Sequence, residues 1–279
     1  MKLYRYLDAR WGVQSVLDGY FKLSKPSEFN DPLDCAGSVR GQPDPKVIQK
    51  YIREKKLVGR FRAADLLSGC DNNWSEADIE EKYLNDYNKQ FTMLCLDKRS
   101  VDRFVSLLCF ANAEELTSDA DILMWSHYAD KGNGVRITFE FDDDYFNRGI
   151  VVESVKYLSK LPQLDATRIT DMLDVNQVMP FFRERIWRKG VAWEYEKEVR
   201  FDVAEPLLGG SVIRRDGISF LQVPRRYIKC IDFGPMMMIA EGKKYAKQLK
   251  GKPATSLIQL RMAVFDGQYY RYNYVPIEE

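Results

Sequence analysis

The sequence predicts an α+β fold on three observations. Short strand-like runs are separated by helical stretches of very unequal length, which does not fit the regular strand–helix alternation of a doubly wound sheet. No self-similarity at a period of about 20–50 residues marks a solenoid or propeller. No low-complexity linker cuts the chain, and 279 residues with 45% hydrophobic content suffice for a sizeable core. Residues 1–279 are therefore expected to form a single domain.

The elements follow in order. Residues 3–6 read as a short strand, and residues 11–17 have helical spacing with Trp11, Val16 and Leu17 facing inward. Gly19 closes that helix as a left-handed cap. Residues 21–23 form a second short strand, and residues 25–32 a loop dense in turn formers. From about 43 to 88 the pattern is charged and helical, broken near 69–73, and reads as a helical insertion within the domain. Residues 105–110 are a continuous apolar run suited to a central strand. Residues 121–128 read as a short helix or turn, and residues 134–141 alternate as a strand. Asp142, Asp143 and Asp144 read as a helix N-terminus, with a metal-binding carboxylate cluster as the alternative. Residues 152–157 are a strand and 168–188 a helix. Residues 198–203 and 212–215 are expected to pair as a hairpin, and Asp216-Gly217 to turn the chain into a strand over 218–223. Strands over 228–233 and 257–265 flank a helix over 237–249, and Asp266-Gly267 leads into an aromatic tail, 269–274.

Composition removes several classes of function. Forty-two basic against forty-one acidic residues leave a net charge of +1, which argues against a nucleic-acid coat or a membrane-surface protein. Five cysteines (Cys35, Cys70, Cys95, Cys109, Cys230) with no CxxC argue against a disulfide framework or zinc ribbon. The single histidine, His127, removes multi-histidine metal sites. There is no GxGxxG fingerprint, P-loop or GxSxG elbow. The start lacks an apolar signal core and no run approaches the ~20 apolar residues of a membrane span, so the chain is expected in the cytoplasm, away from membranes.

Three clusters carry the chemistry. In the first, Arg5 between Tyr4 and Tyr6 offers a guanidinium fork suited to phosphate or carboxylate, or is a surface arginine on an edge strand; the loop with Ser27, Asn30 and Asp31 joins it. The second, Trp125-Ser126-His127-Tyr128, sets aromatics, a hydroxyl and the only histidine side by side. It suits stacking on a heteroaromatic ring, with His127 as an orienter, or is structural. The third runs from Trp193 to Arg200. Strand alternation there sends Glu194, Glu196, Glu198 and Arg200 to one face, either as a solvated ion-pair face or as a paired-carboxylate site.

Together these segments resemble a known family. LYRY (3–6), SKPSEFNDPLDC (24–35), the Cys109-Phe110 pair, MWSHYAD (124–130) and WxYEKEVR (193–200) match in order a bacterial family catalogued as domain of unknown function 2971. A second resemblance bears on function. The LYRY strand, the helix and turn Val16-Leu17-Asp18-Gly19-Tyr20-Phe21, and the late Glu196-x-Glu198 strand are similar to the ADP-ribosyltransferase superfamily. It implies a split mixed or antiparallel sheet and NAD as substrate. Arg5 and Tyr6 would then lie on the adenosine and phosphate side, with Ser126 and Tyr128 towards nicotinamide. Glu198 would be the catalytic carboxylate and Glu196 the activator of an acceptor. Ser27, Asn30 and Asp31 would add polar contacts at the pocket mouth, while Trp125, His127 and Arg200 complete the nucleotide-binding set. No metal is implied. The acceptor, whether protein, nucleic acid, small molecule or water, is open, and a toxin or phage-defence effector with an antitoxin or defence-system partner is a further implication.

Two rivals stand beside this reading. One is a non-enzymatic nucleotide or nucleic-acid sensor using the same pocket, aided by Arg53, Lys55, Lys56, Arg60 and Arg62. The other is a metal-dependent nuclease on Glu194, Glu196, Glu198 and residues 142–144, which is weakened because Tyr195 stands where the D…ExK pattern needs an acid.

Overall fold

The computed structural model describes residues 1–47, 50, 97–102, 104–146, 149–170, 175–177 and 179–277. The expected insertion, about 43–88, lies almost entirely outside the described residues, as do Cys70, Cys95 and the basic residues Arg53 to Arg62. The chain divides into two compact units: Met1–Lys25, Val105–Tyr157 and Val191–Glu279 form one, and Pro26–Phe104 with Leu158–Gly190 form the other.

The first unit is mixed α+β. Its strands are β1 (Lys2–Leu7), β2 (Tyr20–Lys22), β3 (Leu107–Asn112), β4 (Val135–Glu140), β5 (Ile150–Ser154), β6 (Glu198–Val203), β7 (Val212–Arg215), β8 (Ile218–Gln222), β9 (Ile228–Phe233), β10 (Gln259–Phe265) and β11 (Tyr272–Pro276). Its longer helices are α1 (Ala9–Asp18), α2 (Ser118–Tyr128) and α3 (Ile239–Lys250), and Asp143–Phe146 forms a single helical turn. Eight strands form one sheet in the order β11-β10-β9-β4-β1-β3-β6-β5, and a three-stranded sheet runs β7-β8-β2. Every ladder in these two sheets is antiparallel except β9 with β10.

Strand alternation gives the large sheet two unlike faces. Leu3, Phe110, Ile137, Phe139, Val199, Phe201 and Ile231 point to the first, where α1 (Ala9, Val13, Val16) and α3 (Ala246, Leu249) complete an apolar core. Tyr4, Ala111, Thr138 and Glu198 share one row of the second face, and Tyr6, Arg136 and Asp232 another. Helix α2 covers that second face with Met124, Trp125 and Ala129.

Trp11 was expected inward but is 65% exposed, because Ala9, Val13 and Val16 make the buried stripe and Trp11 lies off it. Gly19 caps α1 with φ 77°. The expected pairing of 198–203 with 212–215 is replaced. β6 lies between β3 and β5, while β7 pairs with β8 around Asp216-Gly217, both at positive φ. The aromatic tail ends in a strand, β11, on the sheet edge.

The second unit carries a short parallel pair, Ser38–Arg40 with Gln163–Asp165, and a helix over Met179–Ile186 where a longer one was expected. Its centre is the fully buried Arg185, which donates to the Cys35 carbonyl at 2.7 Å, to Ser100 Oγ at 3.3 Å and to the Asp97 carbonyl at 3.0 Å. Lys189 pairs with Asp34 at 3.5 Å, both buried.

Candidate functional site

The site is built where the end of α2 meets residues 191–200 in the first unit. Thr117 starts α2 by accepting from the Ala120 amide at 3.2 Å, and Asp119 and Asp121 sit favourably in the positive first turn. Beyond Tyr128 the chain turns through Asp130, Lys131 and Gly132 at positive φ, and Gly134 passes so close to β1 that an added Cβ would lie 2.2 Å from the Leu7 carbonyl oxygen. That corner fixes where His127 and Tyr128 emerge.

Residues Val191–Glu196 are a 3₁₀ helix, so the expected alternation of Glu194, Glu196, Glu198 and Arg200 on one strand face is corrected. Lys197, at φ 46°, reverses the backbone, and only Glu198 and Arg200 belong to β6. The turn brings Glu196, 3% exposed, under Tyr128, whose hydroxyl donates to it at 2.5 Å. Next to it, His127 Nδ1 and the Tyr195 hydroxyl are 2.8 Å apart. The rings of Trp193 and Tyr195 stand 6.3 and 6.0 Å from the imidazole. His127 is exposed and Trp193, Tyr195 and Tyr128 half-buried, so ring surface remains open to a ligand.

Glu198 is held at its carboxylate and at its backbone amide. Arg200, fully buried, donates to Oε1 at 2.8 Å and to Oε2 at 2.9 Å. The Glu198 amide donates to the Tyr157 hydroxyl at 2.8 Å. On the neighbouring strand, burial and then the Glu198 charge push the Cys109 thiol well above its ordinary value.

Arg5 lies elsewhere. β1 and β3 pair only at Leu3↔Asn112 and Tyr4↔Ala111, and the far end of β3 turns away to bridge Leu107 with Ser24. Arg5, pointing to the opposite face from Tyr4 and Tyr6, fills this fork: Nη1 donates to the Cys109 carbonyl at 2.9 Å, and Nη2 reaches towards the Lys22 carbonyl at 3.5 Å. Burial lowers its guanidinium to about 10, so it stays charged at neutral pH.

The remaining expected residues divide. Trp125 is fully buried, stacks edge-on against Tyr6 at 5.4 Å and donates to the Tyr274 hydroxyl at 3.2 Å, while Ser126 bonds back to the Ile122 carbonyl at 3.0 Å. Ser27, Asn30 and Asp31 belong to the second unit, where the Ser27 amide donates to Asp102 and Asp31 accepts from the Leu33 amide. The structure therefore brings together Glu198, Arg200, Glu196, Tyr128 and His127. Asp142 accepts from the Tyr145 amide and the Tyr227 hydroxyl, and among the described residues no three His, Cys, Asp or Glu side chains are grouped to hold a metal ion.

Sequence reasoning missed the ionic lattice beneath α2. Arg136 donates twice to Asp232, at 2.9 and 2.7 Å, and to Asp121 at 3.1 Å, and lies between the Tyr4 and Tyr274 rings at 4.3 and 3.9 Å. Arg261 adds a bond to Asp232 at 2.6 Å, and the Tyr6 and Tyr274 hydroxyls both donate to Asp121. Burial opposes the Arg136 charge, but Asp232 outweighs it and the guanidinium is raised further above its already high value. The signal available was a charged residue inside each of two apolar strands, 135–140 and 228–233.

Residues 124–201 match the family model described as a protein of unknown function (DUF2971). That stretch opens on Met124 in α2 and closes on Phe201 in β6, so it contains both arms of the site. No curated protein and no solved structure matches the chain. Among the described residues no helix is long and apolar enough to cross a membrane.

Proposed function

We propose that the chain cleaves NAD at the nicotinamide–ribose bond, as an ADP-ribosyltransferase or an NAD glycohydrolase, with Glu198 at the reacting centre. The observation that supports this best is the pair of buried carboxylates of unlike partnership, Glu198 held by an arginine and Glu196 by a tyrosine, at the edge of an open aromatic surface. As the C1′–N bond breaks, its electron pair leaves with nicotinamide and positive charge builds on the ribose. Glu198, kept in place by Arg200, stabilises that charge and holds a ribose hydroxyl. An acceptor oxygen or nitrogen then bonds C1′, and its proton passes to Glu196. Tyr128, His127, Trp193 and Tyr195 supply ring faces for nicotinamide. The acceptor is a protein, a nucleic acid, a small molecule or water. Depletion of NAD would injure the cell that makes the enzyme, which favours a toxin or defence-effector role restrained by an antitoxin or defence-system partner.

One observation favours a second reading. Arg200 engages both oxygens of Glu198, which suits a pocket that holds a nucleotide without cutting it. The two separate in one experiment. Purified full chain is incubated with NAD, with and without cell extract as acceptor source, and nicotinamide release and NAD binding are followed for wild type and Glu198→Gln. Release at least about a hundredfold slower in the variant, with NAD still bound, supports the enzyme. Binding without release in either protein overturns it in favour of the sensor.

A further inference from the structure

We infer that the groove between α3 and the end of β10 binds a free single-chain amphiphile with an anionic head, a fatty carboxylate or an alkyl phosphate. This site is separate from the one at Glu198. Its floor belongs to the apolar first face of the large sheet, whereas Glu198 and Arg200 lie on the second.

The sequence of α3 explains the groove. The buried residues of the helix are Gly242, Ala246 and Leu249, so two of the three carry almost no side chain. At Gly242 helix and sheet touch, since an added Cβ would lie 2.9 Å from Met262 Sδ. One turn further on, Ala246 is too small to fill the space above Leu260. A cavity of about 640 Å³ opens there, with Ala246, Leu260 and Ile277 in its wall. Ile277, just past the end of β11, is fastened beside Leu260 by its amide, which donates to the Leu260 carbonyl at 3.2 Å. Ala246 and Leu260 belong to the main core and Ile277 packs against it, so the floor is apolar and fixed.

The rim carries charge of one sign. Lys243, Lys247 and Lys250 recur at i, i+4 and i+7 on one face of α3, and no carboxylate lines the cavity. Lys250 is committed, because its Nζ donates to the Ser256 and Ile258 carbonyls at 2.7 and 3.1 Å. Lys243 and Lys247 have no hydrogen bond or ion pair among the described residues. Lysine stems commonly lie across apolar surface with their heads in water. Here, however, two unpaired ammonium groups border a concavity within the size range of small-ligand pockets, about 300–1,000 Å³. An alkyl chain in the groove displaces water from Ala246, Leu260 and Ile277, and an anionic head at the rim pairs with Lys243 and Lys247. A concave floor fits one chain and not the flat face of a bilayer, and a net charge of +1 gives the protein little general attraction to an anionic membrane.

Titration of the full chain with dodecanoate, below the concentration at which it forms micelles, tests this by calorimetry. Dodecyl phosphate, inorganic phosphate and uncharged dodecyl maltoside serve as further probes. The two anionic chains are expected to bind with similar affinity, and inorganic phosphate and the maltoside at least about tenfold more weakly. Lys243→Gln combined with Lys247→Gln should weaken dodecanoate by about tenfold, the amount that two partly exposed charge pairs carry together. Gln259→Trp, which fills the groove from the start of β10 and leaves every lysine in place, should weaken both anionic chains at an unchanged melting temperature. Ala246→Phe fills it from the helix side and should do the same. Absence of binding by either anionic chain, equal affinity for the maltoside, or full affinity in the lysine double variant overturns the inference. Sedimentation with phosphatidylglycerol vesicles that dodecanoate does not reverse also overturns it, in favour of a membrane-facing surface. None of these readouts depends on NAD chemistry, so the groove and the proposed enzyme stand or fall separately.

Discussion

Removing Arg200 should be among the most damaging single changes in the first unit. The guanidinium is fully buried and makes two charge-assisted bonds to a carboxylate that is itself only 7% exposed. Arg200→Met keeps most of the side-chain volume but leaves Glu198 buried without its counter-charge. Breaking a buried pair from one side costs about 3–5 kcal/mol, because the surviving charge is not returned to water. The loss should sit near the middle of that range, since the rim of solvent at Glu198 offsets only part of it. At about 2–4 °C per kcal/mol, the melting temperature falls by about 8–16 °C. Glu198→Leu placed on top removes the stranded charge, and the double variant should recover more than half of the loss. Denaturant titration of the four proteins in the cycle measures the coupling directly. A single-variant loss below about 1 kcal/mol, or a double variant no better than Arg200→Met, would refute the reasoning, because either result means the pair is solvated.

Two further changes test other joints of the same unit. Burial works against the Glu205 charge, but bonds from Ser106, Arg214 and Ser219, with Lys25 at 3.6 Å, outweigh it and lower the carboxyl to about 2. A folded value below the unfolded one stabilises above pH ~4.5 and is lost as pH falls towards 2. The gap in unfolding free energy between wild type and Glu205→Gln should therefore be about 1–2 kcal/mol at pH 7, after discounting for solvent access, and shrink by pH 3; a gap independent of pH contradicts the network. Arg5→Lys keeps the charge but not the fork that spans the Cys109 and Lys22 carbonyls, so denaturant melts should show a loss of about 1–2 kcal/mol. Unchanged stability with lost NAD binding would instead mark Arg5 as a ligand clamp.

Much of the fold was legible because one face of the large sheet is apolar. Val135, Ile137 and Phe139 alternate as a strand over a core should, and so do residues of β9 and β10. The second face misled for a physical reason. It is covered by α2, yet its residues are polar, and a buried polar face satisfied by its own lattice looks in sequence like a face turned to water. Arg136, Asp232 and Asp121 were hidden in this way. Long-range pairing was the second gap. Nothing local says that β6 returns between β3 and β5 and does not pair with 212–215. At the site, the residues of the last cluster were recognised but not their arrangement. The reversal at Lys197, which sends Glu196 to Tyr128, uses a positive φ at a residue type that gives no warning of it.

The fork between β1 and β3 connects these observations. Where β3 leaves β1, its carbonyls lose their ladder partners, and a buried backbone acceptor must be satisfied by some other donor. Arg5 supplies that donor from the apolar side, at the cost of a partly desolvated charge. On the other side, Cys109 stands across from Arg200 and next to the row that holds Glu198. The arginine in the first motif and the carboxylate in the last are thus two sides of one break in the sheet. Arg5 matters to the site even though its side chain points away from it, because the strand it anchors pairs directly with the strand that carries Glu198 and Arg200.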